Sequence, residues 1–190
     1  MDNIVREPKS ILQWWGDCLL KGQNVKWREK KIGELIDVFK NKTALAEQGD
    51  KLAYKVANQN FNRESFVKGN LQWGVTYLEP FTIDGECAMT HGHFHRDPDC
   101  DEYYFGYKGE GFLLFWDGDE EFYAEKIFPG SLHYINGRYA HRIINSGDET
   151  LIVGACSLPA SNQDHAIIEK TPFPYRCFKR NGKIEWIKES

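Results

Sequence analysis

Three of the chain's six histidines stand within five residues, His91-Gly92-His93-Phe94-His95. Imidazole nitrogen suits iron, nickel, copper and zinc, and alternate residues of an extended strand share a face. His93 and His95 can therefore aim at one point. His91 has the same parity, which leaves three candidates for two places. Seven positions after His95 comes Glu102, beyond a segment from Arg96 to Asp101 whose proline and alternating charges read as a turn onto an adjacent strand. Further on, Pro129-Gly130 opens a turn and Tyr139-Ala140-His141-Arg142 begins another strand, with Asn145 four residues after the histidine. Two imidazoles from one strand, a carboxylate from its neighbour and His141 from a distant strand make a His₃Glu set. Such mixed ligands suit one borderline divalent ion, iron, manganese, nickel or zinc. Four protein ligands on an octahedral ion leave two positions for water or substrate. A lone buried histidine is usually hydrogen-bonded core, but the doublet, the following Glu and the distant His together outweigh that reading.

Bringing those segments together takes a folded sheet. From about Leu71, short runs rich in Val, Ile, Tyr, Phe and Trp are separated by turn residues every eight to twelve positions: LQWGVTYLE, ECAMTHGHFH, EYYFGY, GFLLFW, EEFYAEKIF, LHYING, HRIIN and TLIVGACSL. That texture indicates a mainly β sandwich or barrel. A parallel α/β fold would need helical crossovers, and none appears between Leu71 and Leu158. Asp117-Gly118 between two aromatic runs predicts a hairpin on a type I′ turn, because Gly readily takes positive φ. The tail FKRNGKIEWIKES reads as a terminal hairpin around Asn181-Gly182. The N-terminal third, residues 1–69, reads as helix and connector. In REKKIGELIDVFKNK, Ile32, Leu35, Ile36 and Phe39 recur at helical spacing, and Lys40 and Lys42 would complement the dipole at the helix end.

With 190 residues, 41% of them apolar and 14% aromatic, the chain has the length and composition of one globular domain, residues 1–190. The formal net charge of −4 disfavours non-specific attraction to nucleic acid or to anionic lipid. Charges interrupt every apolar patch of the first twenty residues, and nothing downstream reaches membrane-spanning length. Five widely spread cysteines without a CxxC pair suggest a reduced, cytoplasmic protein and buried thiols. The six tryptophans, Trp14 and Trp15 among them, read as packing residues.

The central block resembles a family. G-H-x-H, a following Glu, Glu102-x6-Gly109, P-G and His141-x3-Asn145 are similar to the cupin double motif. Six residues intervene between His95 and Glu102, a long spacing that resembles the cupin-type, or archaeal-type, glucose-6-phosphate isomerases. Their T-x-G-H-F-H, E-x-Y and G-x-G elements match Thr90 to His95, Glu102-Tyr103-Tyr104 and Gly109-Glu110-Gly111. Their A-H-R-x-x-N matches Ala140 to Asn145, and the threonine of their first strand falls on Thr76. The likeness covers about residues 70–160, the cupin core, with 161–190 a C-terminal extension.

The resemblance implies a cupin jelly-roll homodimer that interconverts glucose 6-phosphate and fructose 6-phosphate on one divalent metal ion, iron foremost. By position, His93, His95, Glu102 and His141 would be its ligands. Thr76, Thr90, Gly92 and Tyr104 would hold the substrate phosphate or neighbouring oxygens. His91 falls on a variable position, often Lys in relatives, and becomes a pocket-wall or phosphate-side residue. Asp99 and Asp101 become turn or solvated charges. A metal with two open positions would bind both reacting oxygens and stabilise an enediolate, with Glu102 the candidate proton shuttle between C1 and C2. The family's Y-P-A-D-A-G-H-D-Y, which supplies two tyrosines and a histidine to the sugar, becomes Leu158 to Ala166 here. Leu158 and Ala166 replace the tyrosines, and the histidine is displaced by one, to His165. Arg138 is either an added anion contact or a solvated loop residue. A cupin oxygenase and a sugar-phosphate sensor without turnover are the competing expectations.

Overall fold

Along Ser131–Ile135 the residues alternate strictly, with Ser131, His133 and Ile135 buried while Leu132 and Tyr134 face outward. That period of two gives a strand one inner face, and the chain repeats it in two opposed sheets. A computed structural model describes residues 4–6, 10–11, 20, 25–59, 71–158 and 163–189. Trp14, Trp15 and Cys18 lie outside the described residues, as does most of the N-terminal segment read for targeting signals.

The main strands are β1 (Val25–Lys31), β2 (Leu52–Gln59), β3 (Gln72–Leu78), β4 (Glu86–Met89), β5 (Glu102–Lys108) and β6 (Gly111–Trp116). They continue with β7 (Phe122–Ile127), β8 (Ser131–Ile135), β9 (Ala140–Asn145), β10 (Leu151–Ser157), β11 (Tyr175–Arg180) and β12 (Lys183–Lys188). One sheet runs Val5–Arg6, β7, β6, β9, β4, β11, β12. The other runs Ser10–Ile11, β8, β5, β10, β3, β2, β1. Neighbours distant in sequence lie side by side, as a jelly roll requires. The mainly β fold expected from the strand spacing is the fold observed.

Between the sheets lie Leu78, Ala88, Leu113, Phe115, Ile135, Ile143, Leu151 and Val153, all buried. Each such aliphatic side chain removed from water contributes roughly 1.5–3 kcal/mol. A second cluster covers the other face of the first sheet, where Ile32, Leu35, Phe39, Leu45 and Phe173 meet Leu114, Trp116 and Ile144. The cysteine pair Cys87 and Cys177 is buried there as thiols, as expected of small apolar side chains.

The N-terminal third departs from the expected helix and connector. Residues 28–31 end β1, and a 3₁₀ turn, Ile32–Leu35, follows before the short helix α1 (Lys42–Ala46), whose Asn41 side chain caps Ala44 N–H. β1 and β2 pair with each other and extend the second sheet through β3. The apolar stripe is still buried, Ile32, Leu35 and Phe39 fully and Ile36 in part. Two tight turns satisfy a spacing of three to four as well as a helix does. Gly33 permits this crossing, since a Cβ there would lie 3.1 Å from the Gly49 carbonyl.

Asp117-Gly118 does join the hairpin of β6 and β7, but through a five-residue loop instead of a type I′ turn. The Asp117 carboxylate accepts from the Asp119 and Glu121 N–H groups at 2.8 and 3.1 Å, which stabilises the wider loop. Two-residue turns with positive φ at both centres occur at Asp84-Gly85 and at Asn181-Gly182, the latter closing the expected terminal hairpin. A Cβ on Gly182, φ +73°, would meet no atom within 4 Å. Gly182→Ala therefore costs only the left-handed backbone penalty, about 1–2 kcal/mol. The check is a lower denaturant midpoint at unchanged m-value.

Candidate metal centre

The histidine segment is a strand broken by a bulge. Thr90 N–H donates to the Ile143 carbonyl at 3.0 Å, and His93 and His141 exchange backbone bonds at 3.2 and 3.1 Å. Between these anchors stand two residues, His91 and Gly92, opposite one, Arg142. The extra residue is accommodated by Gly92 at φ +81°, and it shifts the side-chain phase of everything after it. Equal parity of His91, His93 and His95 is thereby lost. His91 turns to His165, with the two Nδ1 atoms 3.0 Å apart, while His93 and His95 turn inward.

There they meet Glu102 from the start of β5 and His141 from β9. One ligand atom from each of the four lies within 4.8 Å of the others, and all four residues are buried. His95 Nε2 is 3.2 Å from Glu102 Oε2, and His141 Nε2 is 3.8 Å from the same oxygen. Behind the cluster, His95 Nδ1 donates to the Cys100 carbonyl at 2.6 Å and His141 Nδ1 to that of Tyr139 at 3.4 Å. A carbonyl cannot donate, so in the neutral His141 ring the lone pair falls on Nε2, toward Glu102, whereas His95 shares a hydrogen bond with that carboxylate through Nε2. His141 Nε2 is buried without a hydrogen-bond partner among the described residues. Such an orphan is uncommon in a folded protein, and a cation would satisfy it.

Burial, with the neighbouring imidazoles, holds His93 well below the usual histidine range; burial brings His141 down to about 4 against the pull of Glu102. Both keep free lone pairs at neutral pH. His95 is lowered by burial but raised more by the hydrogen bond and charge of Glu102, and ends above its ordinary value. Three imidazoles around one carboxylate, two of them held neutral, are a donor set that fits a divalent metal ion.

A cavity of about 480 Å³ opens beside the cluster on the inner face of the second sheet. Thr76, Thr90, Gly92 and Tyr104 all line it, together with His93 and Glu102; His95 and His141 do not. Burial and the Glu102 charge push the Tyr104 phenol well above its ordinary pKa, so it stays a donor. Residues the sequence reading missed complete the wall: Arg28 and Lys30 from β1, Tyr54 and Asn58 from β2, Gln72 and Ser157. Glu29 and Glu34 line it too, and the stretch KWREKK of β1 carries no alternation of buried and exposed residues that could have marked it. His165 lines the cavity too, its Nδ1 2.7 Å from the Gly92 carbonyl oxygen, whereas Leu158 and Ala166 are not part of the wall. Residues 159–162 lie outside the described residues.

The rival groups have other work. Asp101 accepts from Tyr134 Oη and Gly137 N–H, and exposed Asp99 pairs with exposed Arg138 at 3.4 Å. Asn145 donates to the Leu78 and Glu149 carbonyls at 2.9 Å each, which fastens a turn. Among the described residues no helix is long and apolar enough to cross a membrane.

Known proteins resemble the chain in sequence over most of its length. A Thermococcus litoralis protein named glucose-6-phosphate isomerase is 30% identical over 166 residues, 85% of each chain. A Rhizobium meliloti protein named putative glucose-6-phosphate isomerase 2 is 31% identical over 161 residues, 82% of this chain and 78% of that one. Among solved structures, Bacillus subtilis oxalate decarboxylase at pH 4.6 aligns with a TM-score of 0.45 and 19% identity over 59% of this chain; the chain spans 27% of that protein. The family described as Glucose-6-phosphate isomerase (GPI) matches residues 29–189, the whole stretch from β1 through the terminal hairpin, and the chain belongs to that family.

Proposed function

We propose that the chain is a metal-dependent aldose–ketose isomerase interconverting glucose 6-phosphate and fructose 6-phosphate. His93, His95, Glu102 and His141 would hold one divalent ion, iron in the first place. The observation that carries this reading is the orphaned His141 Nε2 in a buried four-donor cluster beside a polar cavity. A bound divalent ion would polarise the oxygens at C1 and C2 of an open-chain sugar.

The remaining work falls to the chain's own groups. Of the cluster's four side chains, His93 and Glu102 face the cavity, and Glu102 is the carboxylate among them. It takes the proton from C2 of the aldose and returns it to C1. Tyr104, held protonated, donates to a sugar oxygen. Thr76, Thr90 and the Gly92 N–H bind the phosphate, with His165 beside them. Burial of the cluster keeps bulk water from the exchanging proton. We place the protein in the cytoplasm, in sugar-phosphate metabolism. Exposed Tyr103 and Tyr134, whose rings pair at 5.5 Å on the outer face of the second sheet, support a homodimer that covers them.

A sensor that binds a sugar phosphate without turnover is favoured by one observation: Leu158 and Ala166 put no phenol on the cavity wall. Two measurements test these readings. Elemental analysis finds about one divalent ion per chain, and a chelator abolishes conversion that added metal restores. Fully metallated protein that leaves both sugar phosphates unchanged refutes the isomerase, and thermal stabilisation by the sugar phosphate without product selects the sensor. Among variants of matched metal content, Glu102→Gln lowers kcat by about 10²-fold or more at similar KM. Thr76→Val instead raises KM about tenfold, by loss of one hydrogen bond to a charged group.

A further inference from the structure

Arg142 follows His141 on β9 and faces the opposite side of the sheet, where it is buried, 6% exposed. Its Nε and Nη2 donate to the His91 carbonyl at 3.2 and 2.6 Å. Nη1 meets Met89 Sδ at 3.3 Å, and the guanidinium lies 4.5 Å over the Phe173 ring. No carboxylate pairs with it among the described residues; Glu86 is held by Arg176 at 2.7 Å. Burial, with the like charge of Arg176, brings Arg142 down to about 9. A buried cation without a carboxylate is costly, and filling this space alone would be cheaper with Met or Leu.

The bulge supplies the reason. His91 and Gly92 face the single residue Arg142, so the ladder offers the His91 carbonyl no N–H, and the guanidinium takes its place. A trans peptide sets C=O and N–H on opposite sides. With the His91 oxygen fixed on Arg142, the Gly92 N–H points away from the guanidinium. Among the described residues that N–H has no acceptor, and Gly92 lines the cavity. A hydrogen bond from a cation to the carbonyl also strengthens the N–H of the same peptide as a donor. A side chain at position 92 would close the arrangement, since its Cβ would lie 3.0 Å from Arg142 Nε and 3.1 Å from Phe173.

We infer that Arg142 is a positioning residue that acts through the His91–Gly92 peptide: it clamps the carbonyl from behind and so presents a polarised Gly92 N–H to an anion in the cavity. That the anion is the phosphate of a sugar rests on the isomerase reading; the clamp does not.

The test compares wild type, Arg142→Met and Arg142→Lys as metal-loaded full chains. Sorbitol 6-phosphate, which cannot isomerise, and sorbitol are titrated calorimetrically, and exchange of the His93 amide, bonded to the His141 carbonyl at 3.2 Å, is followed without ligand. Arg142→Met is expected to bind sorbitol 6-phosphate about tenfold more weakly, with the loss in turnover falling on KM and the His93 amide exchanging faster. Arg142→Lys keeps the charge without the fork and falls between; should Arg142→Met not fold, the lysine variant carries the comparison. Unchanged affinity in a folded, metal-loaded variant overturns the proposal. If wild type binds sorbitol 6-phosphate no better than sorbitol, the sugar-phosphate reading fails by itself. The clamp then stands or falls on the His93 amide, and unchanged exchange in Arg142→Met refutes it.

Discussion

Three imidazoles and one carboxylate drawn out of water within 4.8 Å of each other set the terms for the rest of this structure. Burial penalises every charged form in such a cluster, so His93 and His141 stay neutral with their lone pairs inward. Glu102 is then left with one hydrogen-bonded imidazole, His95, to answer its charge. A divalent cation completes that balance and gives each lone pair a partner. The contrast with His133 makes the point physically. That side chain is equally buried, yet Nδ1 meets Glu125 at 2.7 Å and Nε2 meets the Ser131 hydroxyl at 2.9 Å. His133 is a satisfied core histidine, and His141 is not.

Both sheets are needed to assemble the cluster. His93 and His141 are locked by reciprocal backbone bonds on the first sheet, and Glu102 begins β5 on the second. Their side chains close one end of the space that Leu113, Phe115, Ile143 and Val153 fill with hydrocarbon. Backbone bonds place the four donors, and the bulge between Thr90 and His93 places the cavity wall. A single irregularity thus separates the donor cluster from the His91–His165 side of the cavity along three consecutive residues.

That His93, His95, Glu102 and His141 converge was readable in the sequence because each falls on or beside a strand delimited by turn residues, and strand parity converts spacing into direction. Where parity failed, as at His91, the cause was one inserted residue whose trace is the glycine at position 92, which a pattern of alternation does not weigh. The wall from β1 and β2 was illegible for another reason. An edge strand at a wet cavity carries Arg28, Glu29 and Lys30 where a core-facing strand carries Val or Ile, so nothing in it looked like burial. The stripe Ile32, Leu35, Phe39 was real, but apolar spacing of three to four specifies a buried face and not the hydrogen-bond pattern beneath it. Asp117-Gly118 likewise marked a hairpin, while the carboxylate of Asp117, able to bind two backbone N–H groups, decided the loop's width.

The segment after β10 reaches back both to the histidine strand and to the cavity. Gln163 and Asp164 pair with His95 and Phe94 in a two-residue ladder, and His165 follows directly against Gly92. This segment contributes no side chain to the four-donor cluster, but its backbone is the ladder partner of His95 and Phe94. Leu158 and Ala166 stand outside the cavity wall, and the backbone bonds between His93 and His141 do not involve them. The cluster's geometry is therefore held by backbone hydrogen bonds that any residue can make, those of His93 with His141 and those of Gln163 and Asp164 with the histidine strand, while His165 on the same segment shapes the cavity wall.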